Sequence, residues 1–121
     1  WGGSPIEQVL PVTIRQGVDD LIDHPDGATI QITDPGHPIL EGIDIPQDRL
    51  ILGYNLVEPK PGSAVIATSR EDPFLVVGTA GEGRSIAYTT DPVYHLCGNL
   101  HEWADYGLLW ERMCKWAAGE I

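Results

Sequence analysis

The chain has 121 residues, 42% hydrophobic and 21% charged, enough for one domain with a core and unlike the composition of disordered or membrane-embedded proteins. Its formal charge of −11, from 18 acidic against 7 basic residues, repels phosphate backbones and anionic lipid, so neither nucleic acid nor a membrane is an expected partner. No uninterrupted apolar run approaches the roughly 20 residues that span a bilayer, no stretch reads as a secretory signal, and Cys97 and Cys114 are too few for a disulfide framework, which points to a reduced, cytoplasmic setting.

In chain order, "SPIEQVLP" reads as a very short helix: Ser4 can cap it, Pro5 suits its first position, Glu7 stands three after Ser4 as in a capping box, and Pro11 stops it. "VTIRQ" and "ATIQIT" alternate apolar and polar residues with β-branched side chains, the pattern of half-buried strands, and "GVDDLIDHPDG" between them reads as an acidic turn region. "DPGHPILEGI" reads as a loop with one helical turn, anchored by Ile39 and Leu40. "RLILGYNLVEP" is a strand interrupted at Gly53, where a bulge or close backbone approach is expected, and "SAVIATS" is another strand. In "PFLVVGTAGEGRSIAYTT" two strand-like runs flank Ala80-Gly81-Glu82-Gly83, which spells a tight hairpin. From about Asp105 the period changes: Tyr106, Leu109, Trp110, Met113 and Trp116 recur at three and four residues, an amphipathic helix that Gly119 terminates.

The densest cluster of reactive side chains is "DPVYHLCGNLHEW", Asp91 to Trp103. Imidazole and thiolate ligate transition metals, so His95, Cys97 and His101 with Asp91 are one candidate zinc set; His-x-Cys-x3-His matches no strong zinc spacing, and no metal or cofactor is expected. A Cys97–histidine nucleophile pair is the second reading, but catalytic partners are usually assembled from distant segments. On residue types alone a packing role is favoured, with Asp91-Pro92 ending a strand and His95 and Trp103 packing a loop over the helix start. "GTAGEGR" leads back into a strand and lacks the Lys-Ser/Thr of a phosphate loop, so its glycines serve the turn. His24 and His37, each before a proline, read as surface histidines. Tyr54 and Asn55 interrupt an apolar strand, facing a cleft or an edge, and Cys114 reads as a small core residue.

Taken together, "LPV", "HPIL-EGI", "GYNLVEPKPGSAVIAT", "DPFLVVGTAGEGRSIAYTTDPVYH" and "WADYGLLWERMCKWAAGE" resemble the putative glutamine amidotransferase family, a class I amidotransferase-like group of mostly bacterial proteins, over nearly the whole chain. The resemblance implies a flavodoxin-like α/β fold, related also to the trehalose-utilisation-like proteins. It makes residues 1–121 a single, truncated domain: the C-terminal portion of that fold, with a short N-terminal helix, a mixed sheet containing the Gly-turn hairpin, and the C-terminal amphipathic helix. The strand-to-helix elbow that would present a nucleophile is expected upstream.

In class I amidotransferases the elbow cysteine attacks the glutamine amide, a histidine acts as base, and a glutamate two positions later orients it. Carried onto this chain, the resemblance implies Asp91 and His95 as the catalytic-type pair, but the residue two beyond His95 is Cys97, and His101 is followed directly by Glu102. No His-x-Glu triplet occurs, which leaves enzymatic activity open. The expected role is a non-catalytic ligand-binding or structural one, with Tyr54, Asn55, Cys97, His101, Glu102 and Trp103 as further candidates to line a cleft for a small molecule. The alternative is a hydrolase or amidotransferase in which His95 is general base to a nucleophile from the other half. A half-domain leaves a sheet edge and apolar surface uncovered, so self-association into a homo-oligomer is also expected.

Overall fold

The structure is a computed structural model describing residues 2–15, 20–93 and 95–121. Helix α1 (Pro5–Val9) begins after Ser4 with proline in its first turn, where a missing N–H leaves no helical bond unmade. The expected capping box does not form: the Ser4 side chain makes no cap hydrogen bond, and the Glu7 carboxylate instead accepts the N–H of Ile14 at 2.7 Å and of Gly3 at 3.2 Å, tying the helix to the strand that follows. Those two backbone bonds, Ile14 first, hold the Glu7 carboxyl below its ordinary range.

Strand β1 (Val12–Ile14) pairs antiparallel with β5 (Val57–Pro59), and β2 (Leu21–Ala28) pairs antiparallel with β4 (Ile51–Asn55). β2 corrects the sequence reading, which took this acidic segment for a turn. Ile22 meets Tyr54 in register, and the register shift between Asp23 and Ala28 accommodates Pro25 in a bulge, where a missing N–H is tolerated. Residues 17–19 of that reading, and Gln16 of the strand expected in "VTIRQ", lie outside the described residues. "ATIQIT" is divided, Ala28 closing β2 and only Gln31–Ile32 forming β3. The loop anchor is as expected: Ile39 and Leu40 are fully buried while the N–H groups of Leu40 and Glu41 both return to the His37 carbonyl.

The main sheet runs β3-β6-β7-β8, with β6 (Ala64–Ser69), β7 (Asp72–Ala80) and β8 (Gly83–Tyr88) all antiparallel. The expected hairpin closes at Ala80↔Gly83 and stays in register to Leu75↔Tyr88. Helix α2 (Tyr106–Ala117) covers one face of it, burying Leu109 and Met113. Its aromatic residues continue the contact: Tyr88 lies 4.9 Å from Trp110 and 5.2 Å from Phe74, and the Arg84 guanidinium sits 4.8 Å over Trp116. Truncating Leu109 would cost about 2–5 kcal/mol as a core deletion. Cys114, expected in this core, is exposed, because it stands one residue past the buried stripe at Met113. His24 and His37 are likewise not free surface groups. Nε2 of His24 is buried, with its ring 5.6 Å from Tyr54, and half-buried His37 packs 5.3 Å from Trp116 while its Nδ1 accepts the Ile39 N–H at 3.2 Å.

Candidate functional site

The chain leaving β8 is stitched between two strands before it turns. Thr89 donates its N–H to Phe74 at 3.1 Å, its carbonyl accepts from Asn55 at 2.8 Å, and the buried Thr90 hydroxyl donates to the Gly53 carbonyl at 2.7 Å. Asp91 then closes the loop: one carboxylate oxygen accepts the Leu96 N–H at 3.1 Å and lies 3.4 Å from Nδ1 of His95. His95 has φ +82°, a conformation uncommon outside glycine, and its side chain is 79% exposed.

Two glycines let this loop lie on β4. A Cβ on Gly98, whose φ is +61°, would stand 2.2 Å from the Leu50 carbonyl oxygen, and one on Gly53 would stand 2.8 Å from that of Ile22 and 2.9 Å from the Leu96 side chain. The close approach expected at Gly53 is therefore real. Three hydrogen bonds use it: Leu52 N–H to the Leu96 carbonyl at 2.7 Å, Asn99 N–H to the Leu50 carbonyl at 3.2 Å, and Leu50 N–H to the Asn99 side-chain oxygen at 2.7 Å. Asn99 was not singled out from the sequence; the Gly98-Asn99 pair was the available signal, since such pairs mark turns whose side chains bond nearby backbone.

Of the other sequence candidates, three lie in the interior. Tyr54 is 1% exposed and donates to Asp72 at 2.5 Å; burial first, then that bond, keeps its hydroxyl protonated well above the ordinary phenol range. Cys97 is fully buried, with its thiol 4.0 Å from the Tyr106 hydroxyl, and burial pushes that thiol up. Trp103 is buried beneath the loop. His101 is half-buried with Nδ1 lacking a partner, and Glu102, in the single 3-10 turn Leu100–Glu102, is exposed. Asn55 is exposed and donates to Asp20 at 3.2 Å, a contact the sequence did not suggest.

Tyr106 was read only as part of the helical stripe. Its hydroxyl donates to the Pro92 carbonyl and lies 3.2 Å from that of Tyr88, so it ties the loop to α2 and β8. The zinc set is not assembled, since among the described residues no three His, Cys, Asp or Glu side chains converge. A cleft of about 770 Å³ opens beside Asn55 and Thr89, between the α1–β1 segment and β8; Asp91 and His95 do not line it. At the start of the loop the described residues thus present an exposed Asp91–His95 pair, with the Cys97 thiol sealed below.

These features define an α/β domain in which a helix covers an antiparallel hairpin sheet and an Asp–His loop leaves the last hairpin strand. The chain belongs to the putative glutamine amidotransferase family, whose sequence profile matches residues 1–119. It is similar to two solved structures from Salmonella typhimurium. One, of the cytoplasmic protein STM3548, is 26% identical with a TM-score of 0.89, covering 97% of this chain and 47% of that one. The other, of the cytoplasmic protein STM1381 from strain LT2, is 28% identical with a TM-score of 0.86, covering 94% and 46%. The chain therefore spans about half the length of each solved structure. No curated protein matches it.

Proposed function

We propose that this chain is a ligand-binding domain of amidotransferase type without turnover of its own, in which Asp91 and His95 form the polar contact for a small molecule. The observation that carries this reading is the division between the two candidate chemistries in one loop. The imidazole is exposed and oriented by a carboxylate, whereas the neighbouring thiol is buried and its ionisation suppressed, which disfavours the thiolate that nucleophilic attack requires. The side-chain amide of L-glutamine offers both a donor and an acceptor to such a pair.

The second reading makes His95 the general base to a nucleophile from the other half of the fold. It is favoured by the 3.4 Å Asp91 contact, because a carboxylate at Nδ1 directs Nε2 toward a reacting group. The absence of the family-type His-x-Glu pair weighs against it. We place the protein in the cytoplasm, a reading supported by the two solved neighbours and consistent with the lack, among the described residues, of a helix long and apolar enough to cross a membrane. We also read residues 1–121 as a single domain corresponding to part of the longer family fold.

The test is a titration with L-glutamine followed by NMR. The binding reading expects saturable shifts at Asp91 and in the His95 imidazole that His95→Ala abolishes in the remaining loop. Saturable shifts elsewhere only, or none, would refute it.

A further inference from the structure

Helix α2 turns Leu109 and Met113 into the core and another side away from it. On that outer side Leu108, Glu111, Arg112 and Lys115 follow one another at spacings of three and four, which places them in a single stripe along the helix. The stripe borders a groove of about 420 Å³, whose other walls include Glu41 and Ile121. Leu108 is 37% exposed and Ile121 41%, so both offer apolar surface to solvent. Arg84 holds the Ile121 wall in place, its guanidinium donating to the Ile121 carbonyl at 2.6 Å and to that of Trp116 at 3.0 Å.

Charge selects what this groove can meet. The chain as a whole carries −11, so two copies repel one another over most of their surface. Around the groove the acids Glu41 and Glu111 are matched by the bases Arg112 and Lys115, and a second copy can approach without that repulsion. The order of the charges then sets the orientation. Parallel helices related by a two-fold axis would bring Glu111 onto Glu111 and Arg112 onto Arg112. Antiparallel helices, with the axis between these two positions, bring Glu111 of each copy onto Arg112 of the other, twice over by symmetry. The same register lays Leu108 of each copy along the aliphatic stem of Lys115 in the other. Contacts within the chain leave both charges available: Glu111 and Lys115 form an exposed pair at 3.0 Å, and Arg112 gives one guanidinium nitrogen to the Glu41 carbonyl while a guanidinium carries five donors.

We infer that the outer face of α2 is the contact surface for a second copy of this chain, the two helices lying antiparallel across a two-fold axis between Glu111 and Arg112. A contact of about two helical turns is small for a protein interface, so the dimer is reversible and dissociates at roughly 10–100 µM.

Sedimentation equilibrium of the 121-residue chain, from about 1 µM to 1 mM, tests this, and a monomer–dimer equilibrium is expected. Glu111→Lys alone, or Arg112→Glu alone, brings like charges together at both symmetric contacts and should weaken dimerisation about tenfold. The two changes move the net charge in opposite directions, so weakening by both reports the local contact and not the overall repulsion. Combining Glu111→Lys with Arg112→Glu restores opposed pairing and should bring association back to within about threefold of the wild type. That recovery also separates the facing pair from the bond of Arg112 to Glu41, which the combined variant lacks as well. A chain that stays monomeric throughout would overturn the inference and leave the groove to a different partner. Association that neither single change weakens would overturn it by placing the contact on another surface. A combined variant that is folded by circular dichroism yet no better associated than the single ones would overturn the antiparallel pairing, and the inference with it.

Discussion

Replacing Gly98 by alanine tests how the Asp91–Trp103 loop is held. Two costs combine at this position. An L-residue at φ +61° gives up about 1–2 kcal/mol relative to glycine. The new methyl would also stand 2.2 Å from the Leu50 carbonyl oxygen, a backbone atom that cannot swing aside. Relief requires the loop to lift from β4, breaking the bonds Leu52–Leu96, Asn99–Leu50 and Leu50–Asn99 at about 1 kcal/mol each. The sum is about 4–5 kcal/mol, a large part of a stability expected at roughly 5–15 kcal/mol. Urea unfolding would read it as a midpoint lowered by roughly 2 M at an ordinary slope. Gly62→Ala is the matched control, with φ +85° and no atom within 4 Å of the added carbon, and should cost only the conformational part, about 1 kcal/mol. If Gly98→Ala costs no more than Gly62→Ala, the loop is not pinned as described.

Other expectations are open to simple assays. Gly107, inside α2 with open space at its Cβ position, should become more stabilising as alanine, by about 0.5–1 kcal/mol in the same unfolding assay; destabilisation would mean that α2 packs more tightly there. A thiol reagent should label exposed Cys114 in the native protein and leave Cys97 untouched until unfolding; equal rates would show that the buried thiol is reachable. Burial holds His37 below its ordinary value, outweighing the opposing effect of Asp34, while Arg84 adds to it. The unfolded chain then binds more protons than the folded one, so His37 contributes stability above about pH 6.5 that is lost as the pH falls. His37→Gln should flatten that slope in pH-dependent melting, and an unchanged slope would remove His37 as its source.

The elements most legible in the sequence were those with a strong local period. The Gly-turn hairpin and α2 are encoded within a few residues of one another, and Gly53 announced a close approach because an apolar strand rarely spends a position on glycine without a backbone reason. β2 was missed for the opposite reason: Pro25, Gly27 and the acidic residues around them all favour turns, and only pairing with β4, remote in sequence, makes the segment a strand. The same remoteness hid the partial burial of His24 and His37, whose ring partners Tyr54 and Trp116 come from other elements. In the candidate site, Asp91 and His95 stand out through the family resemblance, whereas residue types alone favour a packing role for their loop. The depth of Cys97 was not visible, since it depends on Tyr106 and the core beneath the loop.

In the function proposed above, this chain carries the Asp91–His95 contact but not the nucleophile that amidotransfer would need. Ammonia release from L-glutamine by the purified 121-residue chain tests this most directly, with hydrolysis of a simple activated ester as a parallel readout. The expected result is no release above the protein-free rate, for the wild type and for His95→Ala alike. Release by the wild-type chain that vanishes in a folded His95→Ala variant would contradict it.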